Sequence, residues 1–243
     1  MEKVKLVFKP LGSIGALIEW PEQIDVEILS DISTLRRKIE KELQEVVIDT
    51  VPAYNSLSVF FDTGTIRYSS VIKKINDLYH KKGNDLKQES RLWRVPVCYD
   101  QSFGIDLDEM VRVKKLSAEE IIRLHTSVVY DVYFIGFLPG FLYLGGLPEE
   151  IHYKRRSKPR RKVERGAVGI AGAHTGIYPM ESPGGWNIIG NSPFNFFSVE
   201  EDPPCFAKSG DKILFYTVDL NEYKKIRKAV EMGSFKFENE VYG

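Results

Sequence analysis

Between Gly136 and Pro148 the chain reads GFLPGFLYLGGLP, and between Gly176 and Gly190 it reads GIYPMESPGGWNIIG. A helix does not tolerate this texture, because proline removes a backbone donor and an interior glycine costs about 1 kcal/mol relative to alanine. Long strands are excluded too, since proline is confined to sheet edges and glycine marks bends. What remains is a fold of short strands joined by tight corners. The neighbouring sequence agrees: LWRVPVCY (Leu92–Tyr99), VVYDVYFIGF (Val128–Phe137), GAVGIAG (Gly166–Gly172), WNIIG (Trp186–Gly190), FNFFSV (Phe194–Val199) and KILFYTV (Lys212–Val218) are brief β-branched and aromatic runs between glycines and prolines. Such spacing predicts a closed barrel or a sandwich. Two short helices are signalled by capping-box spacing, Asp106 with Glu109 and Ser117 with Glu120. A last helix over Leu220–Glu231 is expected to pack outside the barrel.

The first ninety residues differ. VKLVF (Val4–Phe8) and GALIEW (Gly15–Trp20) read as strands around a Pro-Leu-Gly turn. From Asp31 onward, Ile32, Leu35, Ile39, Leu43 and Val46 share one helix face. SLSVFFD (Ser56–Asp62) alternates as a strand. A second helix is expected with Ser69 or Ser70 as its N-cap and Val71, Ile75, Leu78 and Tyr79 inward. The order β-β-α-β-α predicts a small α+β sandwich. HKKGNDLKQES (His80–Ser90) is polar and reads as a linker. At 243 residues the chain can hold two modest domains, expected at 1–88 and 89–243.

Charge excludes some functions. With 34 basic and 34 acidic residues the net charge is zero, which gives no support to a global nucleic-acid role. HYKRRSKPRRK (His152–Lys162) is a local exception. No apolar run approaches the roughly 18 residues of a membrane span, and the N-terminus lacks a signal-peptide pattern. Two distant cysteines, Cys98 and Cys205, and four scattered histidines without HExxH or CxxC predict free thiols in a reducing cytoplasm and no metal.

For chemistry, glycine beside aromatics lets a ligand approach the backbone while a ring covers one face. Phe137, Phe141, Tyr143, Tyr178 and Trp186 are the rings so placed. His125, closing the second short helix, either faces the helix dipole or transfers a proton, and His174 is open to the same two readings. Arg160 and Arg161 either face solvent or clamp a carboxylate or phosphate. No GxxxxGK[ST], GxGxxG or GxSxG motif is present. Residues alone give no complete catalytic set.

The run LHTSVVYDVYFIGFLPGFLYLGGLP followed by KPRRKVERGAVGIAGAHTGIYPMESPGGWNIIGNSP resembles the 5-oxoprolinase B-subunit family, also known as allophanate hydrolase subunit 1 and as KipI, the sporulation-kinase inhibitor. The resemblance is close over 91–220 and weaker but collinear over 1–90. It implies an α+β N-terminal domain followed by a mainly-β cyclophilin-like barrel domain. It also implies two protein partners, one KipA-like and one LamB/YcsF-like, which with this chain use ATP to open the small molecule 5-oxoproline to L-glutamate. Related modules are fused in urea carboxylase, where they form the part that accepts a carboxyl group from biotin. His125, Arg160 and His174 are the expected catalytic residues, the first two at positions that the resemblance retains. Gly136, Phe137, Pro139, Gly140, Phe141, Thr175, Tyr178, Pro183, Gly184, Gly185 and Trp186 are the expected substrate-binding ones. Arg160 would neutralise an oxyanion, a histidine would relay a proton, and the loop amides would donate hydrogen bonds. The chain departs from the family pattern at Leu142, where proline is usual, at Ala173-His174, where Asn-Gln is usual, and in YDQSFGIDL, where Gly104, Asp106 and Leu107 persist. The alternatives are a KipI-type inhibitor of a sensor histidine kinase, a component of an enzyme for allophanate or urea, and, by fold analogy only, a prolyl isomerase.

Overall fold

Ile32, Leu35 and Ile39 are each 1% exposed or less, so the helical spacing of the N-terminal region finds its sheet. The computed structural model describes residues 4–81, 89–235 and 237–242. It divides into two compact units, Met1–Gln88 and Glu89–Gly243, and the chain is of mixed α/β type. Among the described residues no helix is long and apolar enough to cross a membrane.

The first unit contains β1 (Val7–Leu11), β2 (Gly15–Glu19), α1 (Val26–Glu42), β3 (Val47–Pro52), β4 (Ser56–Phe61) and α2 (Tyr68–His80). Its sheet has the order β1-β2-β4-β3, antiparallel throughout. Ile18, Leu57, Val59 and Phe61 pack against Ile32, Leu35 and Ile39 of α1 and Val71 and Ile75 of α2. Asp31 is buried in this core, where its carboxylate accepts from Trp20 Nε1 at 2.9 Å and Tyr79 Oη at 2.6 Å. The observed order is therefore β-β-α-β-β-α. The additional strand, β3, buries only Thr50, so its sequence carries no apolar alternation. α2 starts at Tyr68 with Arg67 as its N-cap and no side-chain cap bond, which places Ser69 and Ser70 inside the first turn. Of the expected linker, residues 82–88 lie outside the described residues, while α2 extends to His80 and the next strand opens at Ser90.

The second unit contains β5 (Ser90–Val97), α3 (Leu107–Lys114), α4 (Ala118–Thr126), β6 (Val129–Ile135), β7 (Leu142–Gly145), β8 (Arg160–Val163), β9 (Ala167–Ala171), β10 (His174–Ile177), β11 (Ser182–Gly184), β12 (Asn187–Asn191), β13 (Lys212–Thr217), α5 (Leu220–Glu231) and β14 (Asn239–Tyr242). Eight strands form one mixed sheet in the order β12-β9-β10-β7-β6-β13-β5-β14, and β8 and β11 make a separate ribbon. β5 and β13 run parallel. Past the end of β5, Cys98 and Asn191 exchange both backbone hydrogen bonds at 2.9 Å, which joins β5 to the far end of the sheet order. Val95, Val97, Tyr130, Val132, Leu144, Ile170, Ile177 and Phe215 fill the resulting core. α3 packs near β12 and α4 near β13. FNFFSV is not a strand: Phe194 and Phe196 are buried side chains of an irregular segment. Their apolarity serves the core, and the periodicity that suggests a strand has no ladder to join.

Candidate functional site

The glycine-rich stretches meet through their rings. Phe141 stands edge-on to Tyr178 at 5.0 Å and to Trp186 at 5.3 Å. Tyr143 lies 5.7 Å from Trp186 and stacks on Phe134 at 4.2 Å. With Val163, Ala167, Ala171 and Ile188 these rings make a small core of their own. A Cβ on Gly176 would sit 2.7 Å from the Leu142 carbonyl oxygen and 2.9 Å from the Trp186 ring, so glycine is required there for the ring to lie on β10. Phe141, Tyr178 and Trp186 are at most 6% exposed. They are therefore spent on one another and do not form an open aromatic wall. Phe137 differs: it is 65% exposed and holds a left-handed φ of 66°, a conformation that costs a bulky residue energy. Pro139 and Pro183 are exposed, while Gly140, Gly184 and Gly185 are buried. Not every loop amide is available. Gly136 N–H donates to the Phe141 carbonyl, and the Gly185 carbonyl accepts from Arg156 N–H.

His125 lies inside the second unit's core with no exposed surface. Its Nε2 is 2.8 Å from Thr175 Oγ1, and its Nδ1 is 2.7 Å from Tyr99 Oη. Thr175 spends its proton on the Gly169 carbonyl, so it must accept from His125 Nε2–H. That leaves Nδ1 to accept from Tyr99 O–H, which fixes the tautomer. Phe215 stacks on the ring at 4.7 Å. Burial depresses the imidazole to about 3, so it stays neutral. Both nitrogens are engaged and the ring is enclosed, so the structure places His125 as the link between Tyr99 and Thr175. Thr175 is fully buried in the same chain of bonds. His174 is half-buried at the opposite end of β10 from Ile177. Burial holds it below the ordinary histidine range, with His152 adding to the effect and the Leu144 backbone opposing it.

Arg160 opens β8 opposite Gly184 of β11. Its Nη2 donates to Asp106 Oδ1 at 2.5 Å, and Arg156 Nη1 donates to the same oxygen at 2.9 Å. The other oxygen, Oδ2, accepts the Ile188 amide at 2.7 Å, while the Asp106 amide donates back to the Ile188 carbonyl at 2.9 Å. Asp106 is only 2% exposed. It is the N-cap of α3 but makes no side-chain cap bond, because its carboxylate is committed to the two guanidinium groups. The expected capping box therefore does not form, whereas at α4 the Ser117 hydroxyl does accept the Glu120 amide. Arg160 Nη1 and Arg156 Nε are buried with no hydrogen-bond partner. Beneath this ribbon lies Tyr178. A Cβ on Gly184 would stand 2.4 Å from its hydroxyl. Burial pushes that hydroxyl's pKa up, and the Trp186 amide and the Arg155 and Arg160 charges work against it. Arg155 and Arg156 escape sequence reasoning because neighbouring cations in KRRSKPRRK look alike until the backbone orients them. Among the described residues no group of three or more His, Cys, Asp or Glu is placed to hold a metal ion.

The geometry can be set beside known proteins. A family model described as carboxyltransferase domain, subdomain C and D, matches residues 6–207. The 5-oxoprolinase B-subunit of Bacillus subtilis (strain 168) is 34% identical over 230 residues, covering 90% of this chain and 96% of that protein. The crystal structure of TTHA0988 superposes with a TM-score of 0.74 at 29% identity over 84% of this chain, which spans only 40% of that longer one. The urea amidolyase of K. lactis gives a TM-score of 0.83 over 98% of this chain and 16% of its own, at 20% identity, a likeness of fold alone. Since one family model runs through both units and a relative shares a third of its residues along almost its whole length, the chain belongs to the 5-oxoprolinase B-subunit family within the carboxyltransferase subdomain C and D group.

Proposed function

We propose that this chain is one component of a cytoplasmic, ATP-dependent 5-oxoprolinase complex, acting with a KipA-like partner and a LamB/YcsF-like partner. The observation that carries this reading is the match to the Bacillus subtilis protein over 96% of that protein's length. The finer description of the second unit, a cyclophilin-like barrel, belongs to the same proposal.

A lactam is a resonance-stabilised amide that water opens poorly. Transfer of a phosphoryl group from ATP to the lactam oxygen makes the ring carbon electrophilic and turns that oxygen into part of a leaving group. Water then adds at the carbon and the carbon–nitrogen bond breaks, so the ring nitrogen leaves as an amine and an acyl phosphate remains. A second water attacks that acyl carbon and releases phosphate. Every stage carries oxyanion charge, which fixed cations stabilise best in a partly desolvated site. Arg160, held by Asp106 and with its Nη1 unpartnered, is the residue proposed to neutralise that charge. Gly184 lies opposite it on the ribbon and Gly185 follows, Phe137, Pro139 and Pro183 are the exposed contacts, and His174 is the histidine retained for proton transfer.

The test is reconstitution. The chain mixed with both partners, ATP and 5-oxoproline is expected to release glutamate, and Arg160→Ala is expected to lower the rate by about 100-fold while the protein remains folded by circular dichroism. No turnover in the complete mixture, together with tight binding to a sensor kinase, overturns the reading. The fold shared with a urea amidolyase favours a second reading, an amide or urea substrate of another kind. Turnover of allophanate or urea, but not 5-oxoproline, in the same mixture would select it.

A further inference from the structure

Beside the Asp106 clasp lies a cleft of about 470 Å³ lined by the segment 153–158 together with Asn187, Glu109 and Val113. Its cations stand on a fixed backbone. The Asn187 side-chain amide donates to the Lys154 carbonyl at 2.7 Å, Arg156 N–H donates to the Gly185 carbonyl at 2.8 Å, and Tyr153 and Gly172 exchange both backbone bonds. Lys154, Arg155 and Lys158 form no ion pair among the described residues. Arg156 is offset by Asp106 and, at 3.6 Å, by Glu109, yet its buried Nε has no partner. The Arg155 guanidinium lies 3.8 Å from where a Gly185 Cβ would stand, close against main chain with no side chain between them. A buried unsatisfied donor costs about 1–3 kcal/mol, and four neighbouring cations repel one another. Both costs fall if an anion enters.

We propose that this cleft binds a phosphoryl anion. Lys154, Arg155, Arg156 and Lys158 all line one volume. That arrangement suits a tetrahedral group with three accepting oxygens and nearly two charges better than a planar carboxylate with two oxygens. The volume exceeds that of a phosphate alone, so the site takes an organic phosphate or a polyphosphate whose remaining bulk lies along Tyr153 and Asn187. The inference rests on charge and geometry and stands apart from the identity of the amide substrate.

Calorimetric titration of the full chain with inorganic pyrophosphate tests it. Saturable binding is expected, weakened at least tenfold in Arg155→Gln and in Lys154→Gln/Lys158→Gln. Lys162→Gln, whose amine pairs with the exposed Glu181, should bind as the parent does. No saturation, or equal affinity in Arg155→Gln, overturns the site, and equal affinity for malonate overturns the phosphoryl assignment. Glutamate release in the reconstituted mixture without pyrophosphate binding sinks this proposal alone. Pyrophosphate binding without release sinks the 5-oxoprolinase reading alone.

Discussion

His125 shows how a single buried side chain ties distant parts of a fold together. Its two nitrogens sit in a single ordered chain, Tyr99 to His125 to Thr175 to the Gly169 carbonyl. Removing the ring leaves the Tyr99 and Thr175 hydroxyls short of a partner and opens space beside Phe215. His125→Ala is therefore expected to cost about 3 kcal/mol, read from the urea midpoint. The same burial sets a pH dependence. The ring titrates at about 3 in the folded chain against an ordinary 6.5, so between those values the unfolded chain binds the extra proton. The stability His125 contributes is complete above pH 6.5 and is lost as pH falls toward 3, by up to about 1.4 kcal/mol per unit. Urea midpoints at pH 7 and pH 5 should separate more for the parent than for His125→Gln. Equal separation would place the acid sensitivity elsewhere.

At the scale of elements, Asp106 joins the start of α3 to β12 and to the basic segment leading into β8. Asp106→Ala removes the shared acceptor of two guanidinium groups and strands the Ile188 amide. The expected loss is about 3–5 kcal/mol, the usual cost of leaving buried charge unpaired, and thermal melts would show it. Asp106→Asn, which keeps an acceptor oxygen, should lose less. These elements also show what could be read beforehand. α2 buries Val71, Ile75, Leu78 and Tyr79, the residues its spacing names, and α5 occupies Leu220–Glu231 as its apolar face and Asp219 cap require. β14 is exposed throughout and β3 buries only Thr50; neither carries apolar alternation, so only their partners reveal them. That Phe141, Tyr178 and Trp186 stand near glycines was legible. That those rings would close on one another was not, because it depends on which face of the sheet each occupies.

In the whole molecule each unit has its own core. Ile32→Ala, at a position with no exposed surface, should cost about 2–5 kcal/mol. Hydrogen exchange should quicken in β2 and β4 while β6 and β13 keep their protection, and acceleration in both units would show that they unfold together. The parallel pairing of β5 with β13 has another consequence, in time. The Arg91 amide and the Trp93 indole both bond to Asp211, the first across 120 positions of sequence. A ribosome adding about 5–20 residues per second takes roughly ten seconds to cover that distance. Through that interval Leu92, Trp93, Val95 and Val97 have emerged and the strand that pairs with them has not. β5 is thus the stretch of the newborn polypeptide that a chaperone must shield until its distant neighbour is made.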